Sequence, residues 1–245
     1  ERLAHTVLTM ASTLLLTTLC VLAVASASLL KQPHYSLPKT AQVPNFPGTC
    51  STKDQATTKG CLDNYFSLFS IDSSTTLPEY FDYVSKMSSL VNLYGVNGID
   101  IYCDFEATLE SCMGPLMSSP CMNPEGFTAL FGIGNGEATE YATSFQIEAY
   151  TCLNADLSKK YFTCMNNLNA DNVQGFYDCS NAMNSTLQHA TDPCPAMSTY
   201  VTCISDFYVG LCDQGIWGYI CNSQEIAFNF DMNGQCDGKM PNCDA

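Results

Sequence analysis

Asp104 and Glu106 end the run Asn97-Gly-Ile-Asp100-Ile-Tyr-Cys-Asp104-Phe-Glu106, the stretch of this chain that most directly suggests chemistry. On a strand, such acids would be candidates for general acid–base work. On a helix, the same acids would mark the beginning of an amphipathic segment, where the positive end of the dipole favours them. No alternating series of strands and helices accompanies the run, so the helical reading is preferred.

Other candidates are thinner. His189 precedes Asp192 by three residues, which could orient an imidazole as a base. No Gly-x-Ser-x-Gly elbow supplies a nucleophile, and His189 reads as a surface residue near a helix C-terminus. His34 is the only other histidine beyond residue 27, and the chain has no C-x-x-C pair, so zinc finds no familiar ligand set. Asp231, Asn233, Gln235 and Asp237 offer oxygens at alternate positions. A calcium loop needs glycine at the sixth position and a closing glutamate; Cys236 stands at that position, so weak calcium contact is the most this segment offers. Asn184-Ser185-Thr186 is a glycosylation sequon, expected on an exposed helix end. No catalytic, cofactor-binding or metal-ligating set is assigned.

Cysteine dominates what remains. Cys50, Cys61, Cys103, Cys112, Cys121, Cys152, Cys164, Cys179, Cys194, Cys203, Cys212, Cys221, Cys236 and Cys243 follow an apolar leader, Met10 to Ala27, that ends in Ala25-Ser26-Ala27. An even count behind a cleavable leader predicts about seven disulfides made in an oxidising compartment. Cys194, Cys203, Cys212 and Cys221 recur every nine residues, as do Cys103, Cys112 and Cys121. Nine residues are about two and a half helical turns, so successive cysteines face opposite sides and each must tie its helix to a different neighbour. The repeated spacing suggests two related halves, with Cys50/Cys61 echoed by Cys152/Cys164.

Those cysteines must be held by helices. Thr76-Leu-Pro-Glu79 reads as a capping box ahead of Tyr80, Val84, Met87, Val91 and Tyr94 at helical spacing, with Gly95 and Gly98 as stops. Further amphipathic stretches place Phe105, Leu109, Cys112 and Leu116 together, then Ala138, Tyr141, Phe145, Ala149 and Cys152. Helices are also expected over 156–168, 171–187 with Asp171 as N-cap, and 195–211. Met87, Met113, Met183, Met197 and Phe207 read as core. The expected organisation is a signal peptide (1–27), an extended proline-containing arm (28–49), a cysteine-rich helical domain (50–222) and a disulfide-tied C-terminal loop (223–245). The fold class is all-α, a bundle of short helices.

The run Tyr102-Cys103, Cys112-Met113, Cys121, Tyr150-Thr151-Cys152 and Cys194 to Cys212, with Tyr200-Val-Thr-Cys203-Ile204 inside it, resembles invertebrate secreted cysteine-rich helical domains. Two groups share this look: the nematode secreted family built on a domain of unknown function, and the insect 27 kDa hemolymph glycoprotein family. The resemblance covers Cys50 to Cys221 and implies an extracellular, mostly helical protein without known catalysis. The acid-ended run also looks like the catalytic strand of family 18 chitinases, which would make Glu106 the acid and Asp104 its neighbour.

A net charge of −15 disfavours nucleic acid and anionic membrane surfaces and attracts dissolved cations diffusely. Apolar residues at 46% are enough for a real core besides the disulfides. These features point to a secreted, non-enzymatic structural or interaction protein of an extracellular matrix or body fluid. Association with calcium mineral, as in a shell-type matrix, is its most specific form. A carrier of small apolar ligands and a carbohydrate-active hydrolase using Glu106 are the alternatives. The expected partners are extracellular proteins or matrix components, with no membrane once the leader is cleaved.

Overall fold

The computed structural model describes residues 46, 48–169, 171–231 and 234–243. The leader, His34 and most of the arm lie outside them, as do two residues of the calcium-like segment, Met232 and Asn233. Among the described residues the regular structure is helical, in nine α-helices with short 3-10 turns. These are α1 (Thr52–Leu68), α2 (Tyr80–Tyr94), α3 (Val96–Met113), α4 (Pro124–Phe131) and α5 (Asn135–Leu153). There follow α6 (Ala155–Met165), α7 (Val173–Leu187), α8 (Cys194–Leu211) and α9 (Trp217–Asp231). No helix among the described residues is long and apolar enough to cross a membrane.

All fourteen described cysteines are paired, giving seven disulfides. The cysteines at nine-residue spacing go to separate partners, as helix geometry requires: Cys194 to Cys236, Cys203 to Cys179, Cys212 to Cys164 and Cys221 to Cys243. Two related halves are visible in the connectivity, but in a different alignment from the expected one. Cys50–Cys121 encloses Cys61–Cys112, and Cys103–Cys152 runs onward. In the same order, Cys164–Cys212 encloses Cys179–Cys203, and Cys194–Cys236 runs onward. Cys50/Cys61 therefore correspond to Cys164/Cys179 and not to Cys152/Cys164, while Cys221–Cys243 has no counterpart. The intervals preceding α3 and α8 differ in length, which hid this alignment.

Each half builds its own core. The first gathers residues from Phe46 to Phe145, with Phe230, and the second those from Ile147 to Cys243. In the first lobe α1 packs on α3 and α3 on α5; in the second α7 packs on α8 and α8 on α9. The corresponding helices α5 and α9 meet each other and join the lobes. Buried positions agree as well: Glu106, Leu109 and Met113 on α3 match Met197, Tyr200 and Ile204 on α8, all on inward faces. Helix α2 is the exception, since only the turn around Asp192 lies between α7 and α8.

Local details depart from the sequence reading in instructive ways. The capping box does not form: Glu79 is the N-cap of α2 and makes no side-chain cap. Buried Leu77 and the bond from Tyr141 Oη to the Pro78 carbonyl (3.0 Å) hold the preceding turn in the core. Glu137 of α5 caps from outside, accepting the Tyr80 N–H at 3.1 Å. Gly95, at φ 59°, ends α2 as expected, but Gly98 lies inside α3. A Cβ there would stand 2.9 Å from Val91 Cα, so glycine lets α3 start tightly against α2. The N-cap of α7 is Asn172, not Asp171. Residues 223–231, expected as loop, continue α9, and Ile226, Ala227, Phe228 and Phe230 are buried there. Helices α1 and α4 were not anticipated; α1 carries many polar residues, and α4 is short.

Gly126 in the first turn of α4 gives a stability test. A Cβ there would lie 2.4 Å from the carbonyl oxygens of both Cys121 and Pro120, which are backbone atoms held by the Cys50–Cys121 bridge. Gly126→Ala is expected to cost about 1–3 kcal/mol, read as a lowered thermal midpoint.

Candidate functional site: a buried carboxyl and phenol cluster

The sequence puts an acid on the apolar stripe of two helices. On α3, Glu106 shares the inward face with Tyr102, Leu109 and Met113, at helical spacings of four, three and seven. On α5, Glu148 follows Tyr141 and Phe145 at seven and three. Both glutamates are 1% exposed. Each side chain is therefore driven into the core of the first lobe by the residues around it.

Glu148 is well supplied with donors. Ser144 Oγ donates to Oε1 at 2.5 Å, Tyr83 Oη lies 3.1 Å from each oxygen, and Tyr65 Oη reaches Oε2 at 3.3 Å. The two phenols are 3.1 Å apart, so one can relay a bond through the other. Glu106 has none of this: neither of its oxygens has a hydrogen-bond partner. Tyr102 Oη faces Glu148 without a well-aligned bond. Phe66 and Phe69 meet the cluster tyrosines edge-on, Phe145 and Tyr141 lie tilted against them, and together these rings keep the surroundings apolar.

These settings push the two carboxyls apart in acidity. Burial raises Glu148, but the hydroxyls that donate to it pull back toward the charged form. Burial raises Glu106 much further, and the like charges of Glu148 and Glu110 add to the effect. Glu148, supplied with hydroxyls, is therefore the stronger acid of the two, and Glu106 the one that holds its proton more tightly. Burial, then the Glu148 charge, also pushes the Tyr65, Tyr83 and Tyr102 phenols far up, which keeps them donors. Tyr83→Phe removes the hydroxyl shared by both Glu148 oxygens. The expected loss is roughly 1.5–3 kcal/mol, typical of a bond to a charged group, measured by chemical denaturation.

The geometry overturns the strand reading of Asp104 and Glu106. Both lie in the middle of helix α3, where two residues are about 200° apart, so Asp104 points to solvent while Glu106 points into the core. Asp104 cannot serve as its tuning neighbour, and Glu106 is closed off from any substrate on the surface. The sequence had marked Glu106 but not Glu148, Tyr65 or Tyr83. Their signal was an acid at a core position of an apolar stripe.

The remaining candidates stand apart. His189 is exposed just past α7, whereas Asp192 is engaged elsewhere. Its Oδ1 accepts the Cys194 N–H at 3.1 Å and its Oδ2 lies 3.2 Å from Lys239 Nζ, and these bonds hold its carboxyl below the usual range. Asn184 lies in the last turn of α7, half-buried with Oδ1 shielded from solvent, and is less exposed than a sequon at a free helix end. Among the described residues no group of three or more His, Cys, Asp or Glu is placed to hold a metal. An open groove of about 450 Å³ between α1 and α4 is lined by Gln55, Lys59, Asp63, Ala129 and Leu130. No protein-family model matches the chain, and neither a curated protein nor a solved structure matches it.

Proposed function

We propose that the protein is a secreted, non-enzymatic scaffold of an extracellular matrix or body fluid, acting through its surface as a structural or interaction component. The observation that carries this reading is the complete pairing of the described cysteines across two corresponding helical lobes. Such bracing persists in oxidising surroundings and resists the loss of structure that dilution and proteases promote outside cells. The net charge of −15 suits cationic or calcium-rich surroundings, and association with calcium mineral is the narrowest form of the proposal.

The test begins with the full chain expressed through a secretory pathway. Mature protein is expected in the medium with no titratable thiol before reduction, and free thiols in the folded product would remove the basis for the proposal. Extraction from native tissue should then place the protein in insoluble matrix or in fluid, and release from matrix by a calcium chelator would support the mineral form. In a fluorescent lipid-displacement assay the scaffold is expected to show no saturable binding. Submicromolar displacement would replace this reading with that of a carrier.

A further inference from the structure

We propose that Glu106 and Glu148 act as one proton-binding site whose occupancy latches helix α2 onto the first lobe. The argument starts from the walls of the cluster. Tyr65 comes from α1, Tyr83 from α2, Tyr102 and Glu106 from α3, and Ser144 and Glu148 from α5. Three of these four walls are covalently joined, α1 to α3 by Cys61–Cys112 and α3 to α5 by Cys103–Cys152. Helix α2 carries no cysteine, and the whole segment between Cys61 and Cys103 has no covalent tie. Its hold on the lobe is non-covalent: the packing of Val84, Met87 and Val91 in the core, the Tyr83 hydroxyl on Glu148 and the bond from the Tyr80 N–H to Glu137.

The second lobe shows that the carboxyl is not a requirement of the fold. Cys103 and Cys112 match Cys194 and Cys203 within continuous helices, so the register fixes Met197 as the counterpart of Glu106, and Met197 is buried. Among the described residues that lobe has no helix corresponding to α2. Its C-terminal segment is instead bound down by Cys194–Cys236 and Cys221–Cys243. The first lobe has a titratable cluster and a helix without a covalent tie; the second has methionine and disulfides.

With one proton on the pair, a single negative charge rests on Glu148, where Tyr83, Tyr65 and Ser144 donate to it. Loss of that proton places a second charge on Glu106, whose oxygens have no donor. The charges that bear on it, those of Glu148 and Glu110, are both of its own sign. Of the other acids nearby, Glu137, Asp82 and Glu140 face Tyr141 and also add negative charge. A buried carboxylate in this state must gain water. Helix α2 is the wall that can move to admit it, because the other three are stapled together. Opening is then coupled to release of one proton and is favoured by rising pH.

Hydrogen exchange on the full, oxidised chain tests this, with rates corrected for the intrinsic effect of pH. The α2 amides are expected to lose protection by about tenfold per pH unit through the titration of the pair, while α8 in the second lobe shows no such slope. In Glu106→Gln the α2 slope should vanish with the helix still protected. Glu106→Met, which installs the residue of the second lobe, should do the same and serves if the amide variant folds poorly. A pH-independent α2, an equal slope in α8, or a slope that survives both substitutions would overturn the latch. Loss of α2 protection on adding a chelator at fixed pH would overturn it too, because a cation and not a proton would then be balancing the acids.

Discussion

Complete reduction under native buffer conditions is expected to unfold the chain, seen as loss of helical circular dichroism together with burial-sensitive tyrosine fluorescence. The seven bridges close loops whose ends are 22 to 71 residues apart in sequence. On the chain-entropy account, each such closure is worth roughly 3–4.5 kcal/mol. Nested loops do not add fully, because Cys61–Cys112 closes a chain already shortened by Cys50–Cys121. Even half of the combined effect, roughly 10–16 kcal/mol, is as large as the ~5–15 kcal/mol net stability of an ordinary domain. The packed cores are real, but they are divided between two lobes and include buried acids and amides that contribute less than apolar side chains would. A reduced chain that kept its helical signal and a cooperative thermal transition would mean that packing alone suffices and that the staples are secondary.

The cysteine pattern carried much of the architecture. Spacing of nine on a helix forbids pairing within that helix, and this alone separated the partners of Cys194, Cys203, Cys212 and Cys221. Apolar spacing likewise located α2, α5, α7 and α8 to within a few residues. It failed where burial is not one-sided. Helix α9 is buried over most of its surface because it meets both α5 and α8, so Ser223 to Phe230 shows no polar face and reads as structureless. Gly98 looked like a helix stop, yet its role is close approach to Val91, a tertiary reason invisible in one segment. Glu106 was legible as an unusual acid, and its helix was the preferred reading, but it lies on the core face in the middle of that helix and not in its first turn. Glu148 was overlooked since attention went to acids in pairs along the chain, whereas this pair forms across two helices.

Glu106→Met is expected to raise stability by about 1–3 kcal/mol near neutral pH, the desolvation cost of a buried polar group left without a partner. Methionine occupies the corresponding site on α8, so the helix, its disulfides and its packing geometry tolerate that side chain. The replacement removes two buried oxygens that have no partner. The same substitution should change the pH profile, and the sign follows from proton binding. Both carboxyls have native pKa values raised above the ordinary glutamate value of 4.5, so between that value and their native ones the folded chain holds more protons than the unfolded chain. Unfolding then releases protons, and stability falls as pH rises through this interval. It is greatest below the unfolded value, the reverse of what a salt-bridged carboxylate gives. Acidification from neutral pH should therefore increase the denaturant midpoint of the parent chain. In Glu106→Met the larger part of that rise should disappear, leaving the smaller contribution of Glu148. A parent chain that loses stability on mild acidification, or a variant that matches the parent profile, would place the folding-linked proton elsewhere than on Glu106.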